Sequence, residues 1–194
     1  VFDSLKSNGE QMRALSVMNN QVSFTISDYK GWENTWSTAK RAIDAVLSFL
    51  IIENSIKRIH INYLNRFYFD GPINEADISA LLKKNSYFAA NAFNSRGLWH
   101  NHHGFFKSSK SGDVLENINI NVLDREDIDS IARCRAVDIM TSLRLDLDNP
   151  IERSDDMILR IEEELSCIHN EDKNILIEIL EESVVSRIPN LTWG

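Results

Sequence analysis

Apolar and polar residues alternate with two different periods along the chain, and each period predicts one kind of element. From Arg58 to Phe69 most apolar residues occupy every second position, which is the period of a strand with one buried face. From Trp32 to Leu50 they recur at intervals of three and four residues, which indicates a helix with a broad apolar face. A short turn joins the two stretches. We therefore predict that they pack face to face, with the strand at the centre of a sheet and Ile61 in the core.

The remaining elements are predicted from the same patterns together with turn residues. Residues 10–28 form a hairpin around Asn19-Asn20, because asparagine tolerates the left-handed backbone of a tight turn. Further strands are predicted at residues 86–93, 98–106, 114–121 and 133–148, a short helix capped by Asn74 at residues 74–84, and two closing helices at residues 154–170 and 174–188. The sum is a single α+β domain over residues 1–194, in which an antiparallel sheet of about seven strands has helices packed mainly on one face.

Composition narrows the class of protein. The 194 residues and 43% hydrophobic content suit one compact core. The net charge of −8 and the absence of a Lys/Arg cluster disfavour non-specific nucleic-acid binding, and no apolar run is long enough to span a membrane. Cys134 and Cys167 form no disulfide framework, so two reduced thiols in a cytoplasmic protein are expected. The chain begins at Val1 rather than at a methionine, so further residues upstream are allowed for.

The polar positions of two strands are the first candidate for a binding site. Asparagine is depleted in strands, and arginine combined with asparagine suits the binding of a carboxylate, a phosphate or a partner's backbone. An open sheet face would place such residues in water, either as a recognition surface or as an ordinary solvated face. The residues concerned are Arg58, His60, Asn62 and Arg66 on one strand and Asn117, Asn119 and Asn121 on another.

The stretch WHNHHG, from Trp99 to Gly104, is the candidate metal site. On a strand, His100 and His102 point to the same face with their backbones roughly 6.6 to 7 Å apart. Two such imidazoles can bind zinc or another borderline divalent metal when a neighbouring strand supplies an acid. The alternative interpretation is a hairpin strand whose histidines face solvent. No other cofactor is expected.

The sequence carries no strong catalytic constellation, and no catalytic residue is predicted. Asp138, Asp146 and Asp148 alternate on one strand, which suits either metal-dependent phosphoryl chemistry or an edge strand charged against aggregation. His169 lies on the apolar stripe of a predicted helix and is expected to be a core histidine with a hydrogen-bond partner. There is neither a glycine-rich phosphate loop nor a G-x-S-x-G motif.

Four short motifs follow one another in an order that resembles a known family. They are Tyr29, Trp32 and Glu33 at a helix start, the strand from Arg58 to Arg66, the strand end Leu145-Asp146-Leu147-Asp148, and the helix segment Ile168-His169-Asn170. The chain thereby resembles a sporadically distributed family of uncharacterised bacterial and archaeal proteins with Y-x-x-W-E, R-I-G-L-R-Y-I-N-R-like, L-D-I-D and L-H-E motifs. It departs from them at His60 and Asn62, which replace glycine and arginine, and at Asn170, which replaces an acid.

The resemblance implies no established activity. The scattered occurrence of the family is similar to that of genes in prokaryotic defence and toxin–antitoxin loci, which is an association and not a mechanism. Together with the missing catalytic constellation, it favours a non-enzymatic recognition or regulatory module with a protein partner, and self-association stays open. The alternative is a metal-dependent hydrolase that acts on nucleotides or nucleic acid through His100 and His102.

Overall fold

The chain is an α+β protein with two antiparallel sheets. The computed structural model describes residues 2–5, 11–18, 20–49, 55–85, 87–89, 91–95, 97–126, 133–189 and 191. Contacts within the chain group it into two compact units, Val1–Ser55 with Glu152–Leu159 and Ile56–Ile151 with Arg160–Gly194. Two compact units can still unfold as one cooperative domain, so the single domain over residues 1–194 stays a prediction. None of the described helices is long and apolar enough to cross a membrane.

The first unit contains a three-stranded sheet and one helix. Its strands are β1 (Phe2–Leu5), β2 (Gln11–Met18) and β3 (Gln21–Ile26), paired in the order β1-β2-β3. Met18 pairs with Gln21, which confirms the predicted hairpin, while Asn19 of its predicted turn lies outside the described residues. Helix α1 (Trp32–Phe49) confirms the helix predicted for this stretch. It packs against β3 and buries Trp36.

The second unit is built on a four-stranded sheet. Its strands are β4 (Ile56–Tyr68), β5 (Trp99–Ser108), β6 (Gly112–Glu126) and β7 (Arg133–Ile151), in the order β4-β7-β6-β5. Strands β5, β6 and β7 form a meander, since each pairs with the next along the chain. Among the described strands β4 pairs with β7 alone. It therefore lies at an edge of the sheet, and the prediction that it is a central strand is wrong.

The predicted single sheet of about seven strands is also wrong, because three strands form one sheet and four form another. β2 pairs with β1 on one side and with β3 on the other, and β4 pairs with β7. Alternation of apolar and polar residues identifies which face of a strand is buried. It does not say which strand lies along each edge. The predicted packing of α1 on β4 joins residues of the two different units and stays a prediction.

Two further predicted elements are replaced by tight turns. The helix predicted at residues 74–84 is instead two 3-10 turns, Ile73–Glu75 and Ile78–Ala80. Asp77 caps the second turn, where the Ser79 N–H donates to it at 3.0 Å. The strand predicted at residues 86–93 is wrong, since the described part of this stretch has no strand and leads into the 3-10 turn Ala92–Asn94. Some predicted positions lie outside the described residues, namely Asn19, Leu50 and residues 86 and 90.

The last strand and the last long helix of the chain are longer than the patterns predict. Strand β7 runs past Pro150 to Ile151, and the two predicted closing helices are one helix, α2 (Met157–Ile179), followed by the short α3 (Glu182–Val185). Hydrogen bonds between side chains tie α2 to one face of the four-stranded sheet, which confirms for this sheet that the helix lies on one side. This helix-covered face holds the core residues Ile118, Ile120, Val137, Ile139, Leu143 and Leu145. The opposite side of the same sheet is the open face.

Candidate functional site

The open face of the four-stranded sheet is the candidate functional site. The polar side of β4 points to this face, and the strand register aligns it with polar residues of β7, β6 and β5. One row across the sheet runs from Arg66 through Asp138 and Asn121 to His100. The open face gathers all the residues for which a binding or metal-ligating role is predicted, namely Arg58, His60, Asn62, Arg66, Asn117, Asn119, Asn121, His100 and His102.

Three residues at one end of the open face form the Asp138 cluster: Arg66, Asp138 and Arg125. Arg66 donates from Nε to Asp138 Oδ1 at 2.7 Å and from Nη2 to Oδ2 at 2.8 Å, and Arg125 donates from Nη2 to the same Oδ2 at 2.8 Å. Because two guanidiniums lie against it, Asp138 is only 5% exposed. The hydrogen bonds from Arg66, followed by those from Arg125, hold the pKa of Asp138 below its usual range. Among the described residues, two cations around one anion leave one positive charge in this cluster.

The Asp146 cluster lies eight residues away along β7, roughly 26 Å for an extended strand. It consists of Arg58, Arg144 and Asp146. Arg58 Nε donates to Asp146 Oδ1 at 2.6 Å, and Arg144 Nη2 lies 3.0 Å from Oδ2. These arginines lower the pKa of Asp146. Asp113 pairs directly with Asp146 across the strands, so two aspartates oppose the two arginines at these paired positions.

Between the two clusters the open face is neutral. His60 Nε2 lies 2.7 Å from Ser142 Oγ, and burial, followed by the charges of Arg144 and Arg58, lowers the pKa of His60. Leu64 and Met140 form an exposed apolar cross-strand pair, with 53% and 45% of their surfaces accessible. The centre of the open face therefore combines uncharged hydrogen-bonding groups with an apolar pair.

Gly104 shapes the middle of the open face. It pairs with Asn117, and a Cβ atom added at Gly104 would lie 2.5 Å from Asn117 Oδ1. Glycine at this position therefore leaves room for the Asn117 amide to lie over β5. The Oδ1 of the neighbouring Asn119 is buried and has no hydrogen-bond partner in the described part of the chain.

His100 and His102 share the open face, as their spacing predicts, and they pair with Asn121 and Asn119. Among the described residues, no three His, Cys, Asp or Glu side chains gather into a group that could hold a metal ion. The acids that were expected to supply the third ligand include Asp138 and Asp146, which are each bound by two arginines. The metal site stays a prediction with two ligands.

Polar groups on the helix-covered face were not predicted as a set. Tyr63 Oη lies 2.9 Å from His169 Nδ1, which confirms His169 as a core histidine with a partner. Burial, followed by the charge of Lys173, lowers the pKa of His169 to about 4. Thr141 Oγ1 donates to Asp172 Oδ1, and burial raises the pKa of Asp172 to about 7. Both groups are therefore driven towards their neutral forms.

A second buried group on this face is an ion pair near β5. Lys107 Nζ on β5 lies 3.0 Å from Oε1 of the fully buried Glu116 on β6. It also donates to Glu171 Oε1 at 2.6 Å. Burial raises the pKa of Glu116. The sequence did contain a signal for this group, because Glu116 interrupts the apolar positions Val114 and Ile118 of the same strand face.

Comparison of the chain with known protein families, with curated proteins and with solved structures found no match in any of the three. The resemblance of its four motifs to a scattered prokaryotic family accordingly stays a prediction.

Proposed function

We propose that the protein is a non-enzymatic recognition module of a prokaryotic defence or toxin–antitoxin system, and that its open face binds a protein partner. The observation that carries the proposal is the convergence of arginine, asparagine and histidine side chains from β4, β5 and β6 on one solvent-facing side of a sheet. The resemblance of the motifs supports the biological setting.

Rigidity favours recognition by these side chains. The arginines of the open face are held by aspartates on β7, which is paired on both sides. A side chain that is already ordered loses less conformational entropy on binding. Each guanidinium has several N–H donors, and the bonds to Asp138 use only two on Arg66 and one on Arg125. The remaining donors suit carboxylates or backbone carbonyls of a partner.

The anatomy of the open face favours a protein over nucleic acid as the partner. Protein interfaces combine an apolar centre with a polar rim, and the Leu64–Met140 pair lies between the two charged clusters. Nucleic acid would require a surplus of cations. On the open face, four arginines are opposed by Asp113, Asp138 and Asp146, and the whole chain has a net charge of −8.

Site-specific photo-crosslinking tests the proposal. A photoreactive amino acid at position 64 or 140 of the full chain, in its native host, should yield one discrete cross-linked protein. The same amino acid at Glu163, an exposed position of α2, is the matched control. Products of adjacent genes are the first candidates, and a cross-linked dimer would identify a second copy as the partner. Equal products from position 163, or none from the open face, would contradict the proposal, as would turnover of nucleotides or nucleic acid by the purified, metal-replete protein.

A metal-dependent hydrolase is the second candidate, and the placement of His100 and His102 on one face supports it. Elemental analysis of protein purified without a histidine tag distinguishes the two. The hydrolase requires a divalent transition metal at close to one equivalent, which should be lost in a double His100→Ala/His102→Ala variant. A metal content near zero that this variant leaves unchanged would remove the second candidate.

A further inference from the structure

The two arginine clusters of the open face differ in charge, although they are built from the same residue types. In the Asp146 cluster, Arg58 and Arg144 are balanced by Asp146 and its cross-strand neighbour Asp113. In the Asp138 cluster, the cross-strand neighbour of the aspartate is the uncharged Asn121. Among the described residues, the Asp138 cluster is therefore the end of the open face with an uncompensated positive charge.

Asp138 is too enclosed to serve as a ligand itself. It is 5% exposed and both of its oxygens accept hydrogen bonds from the arginines. Asp138 instead holds the guanidiniums of Arg66 and Arg125 beside each other. Arg66 and Arg125 keep 29% and 37% of their side chains exposed, so both remain within reach of an incoming group.

Arg125 uses only one of the two N–H groups with which one edge of a guanidinium binds a carboxylate. The Nε and Nη2 groups lie on the same edge of a guanidinium and bind the two oxygens of a carboxylate together. Arg66 binds Asp138 in this way through both groups, whereas Arg125 offers Asp138 only its Nη2. The Nε of Arg125 is buried and has no hydrogen-bond partner among the described residues. A buried donor without an acceptor is uncommon in folded proteins, and it marks Arg125 as the guanidinium of the cluster with unused hydrogen-bonding capacity.

We infer that the Asp138 cluster is a carboxylate-binding site, in which Arg125, Arg66 and Asn121 bind an Asp or Glu side chain presented by an acidic segment of the protein partner. The inference rests on the proposed function, because it names the chemistry that the partner brings to the open face. A single carboxylate neutralises the one surplus charge of the cluster. A phosphate dianion would add negative charge to a chain that already has a net charge of −8, and it is disfavoured for this reason.

Nuclear magnetic resonance of the arginine Nε–H groups tests the inference on the intact chain, with acetate as the carboxylate probe and inorganic phosphate as the alternative. Titration at constant ionic strength should shift the Arg125 signal along a saturable curve while the Arg58 and Arg144 signals stay in place. Arg125→Gln should weaken acetate binding by at least about tenfold, as expected when a charge-assisted hydrogen bond is lost. Arg187→Gln, which removes an exposed arginine outside the open face, is the matched control and should leave acetate binding unchanged. Should Arg125→Gln fail to fold, Arg125→Lys keeps the charge without the two paired N–H groups and should also bind acetate more weakly.

Three results would overturn the inference. They are tighter binding of phosphate than of acetate at the cluster, an equal shift of all four arginines, and no saturable shift of Arg125. The proposed function fails independently of these results, because photo-crosslinking from positions 64 and 140 reports a partner whether or not acetate binds. Acetate binding without a cross-linked product would retain the site and reject the recognition module.

Discussion

The two faces of the four-stranded sheet are made by alternate residues of the same strands, yet they treat polar groups in opposite ways. On the open face, Asp138 is ionised and held by two arginines, which lower its pKa. On the helix-covered face, Asp172 has Thr141 as its hydrogen-bond partner, and burial raises its pKa to about 7. A carboxylate that loses water keeps its charge when arginines replace the water and tends to lose it when a hydroxyl does. The open face thus keeps Asp138 charged, so that it holds two arginines, whereas the covered face drives Asp172 towards its neutral form.

The largest loss of stability is expected from a substitution at Gly112, where the backbones of β6 and β7 lie in close contact. Gly112 has φ +144°, and a Cβ atom there would lie 2.0 Å from the Asp146 carbonyl oxygen. Gly112→Ala should therefore separate β6 from β7 and lower the free energy of unfolding by about 3 kcal/mol or more. Gly71→Ala is the matched control, because Gly71 also has a positive φ but no atom within 4 Å of the added Cβ. Urea unfolding that shows equal losses for both variants would contradict the steric explanation.

The charge state of Asp172 should make the covered face sensitive to pH. Its pKa is 3.8 in the unfolded chain and about 7 in the fold. Ionisation therefore opposes folding progressively as the pH rises from about 4 to 7, and the destabilisation is constant above that. Asp172→Asn should raise the free energy of unfolding by about 2 to 4 kcal/mol at pH 8 and by less than about 0.5 kcal/mol at pH 4.

Chemical unfolding of both proteins at the two pH values measures the difference. His169, with a pKa of about 4 in the fold, destabilises both proteins equally as the pH falls below 6.5, so its contribution cancels. A stabilisation by Asp172→Asn that is the same at both pH values would show that the fold does not raise the pKa of Asp172.

Arg66 and Arg58 test the difference in burial between the Asp138 cluster and the Asp146 cluster. Sequence patterns predict that truncating Arg66 costs little, as for any residue on a wet face. The structure revises this expectation, because Arg66→Ala would leave the enclosed Asp138 with Arg125 as its one remaining arginine. We expect a loss of about 1 to 3 kcal/mol for Arg66→Ala and of less than about 1 kcal/mol for Arg58→Ala, whose ion pair is exposed. Thermal melts that rank Arg58→Ala as the more costly change would contradict the assignment of burial to the two clusters.

The smallest expected difference concerns one histidine contact on each face. Tyr63→Phe removes the hydroxyl that meets His169 in the core, and we expect a loss of about 1 to 2 kcal/mol in the free energy of unfolding. Ser142→Ala removes the hydroxyl that meets His60 on the open face, where water can replace it, and we expect a loss below about 0.5 kcal/mol. Equal losses in denaturant titrations would mean that the open face excludes water as well as the covered face does.

Several features of the candidate site follow from the sequence because they are local. Alternation of period two places Arg58, His60, Asn62 and Arg66 on one side of β4, since successive side chains of a strand point to opposite faces. The same rule places His100 with His102 and joins the three asparagines of β6. The apolar stripe of α2 identifies His169 as a core residue. None of these conclusions depends on which strands are neighbours in the sheet.

The other features of the fold depend on contacts between residues far apart in the chain. The division into two sheets, the edge position of β4 and the continuity of α2 are set by pairing and packing that local periodicity does not encode. The Asp138 cluster joins side chains of β4, β6 and β7, and Asp172 is buried because α2 lies on the one face of the sheet where Thr141 points. Local periodicity therefore identifies which residues share a face. The fold decided which of them meet, because strand register and burial bring the charges together and set their protonation.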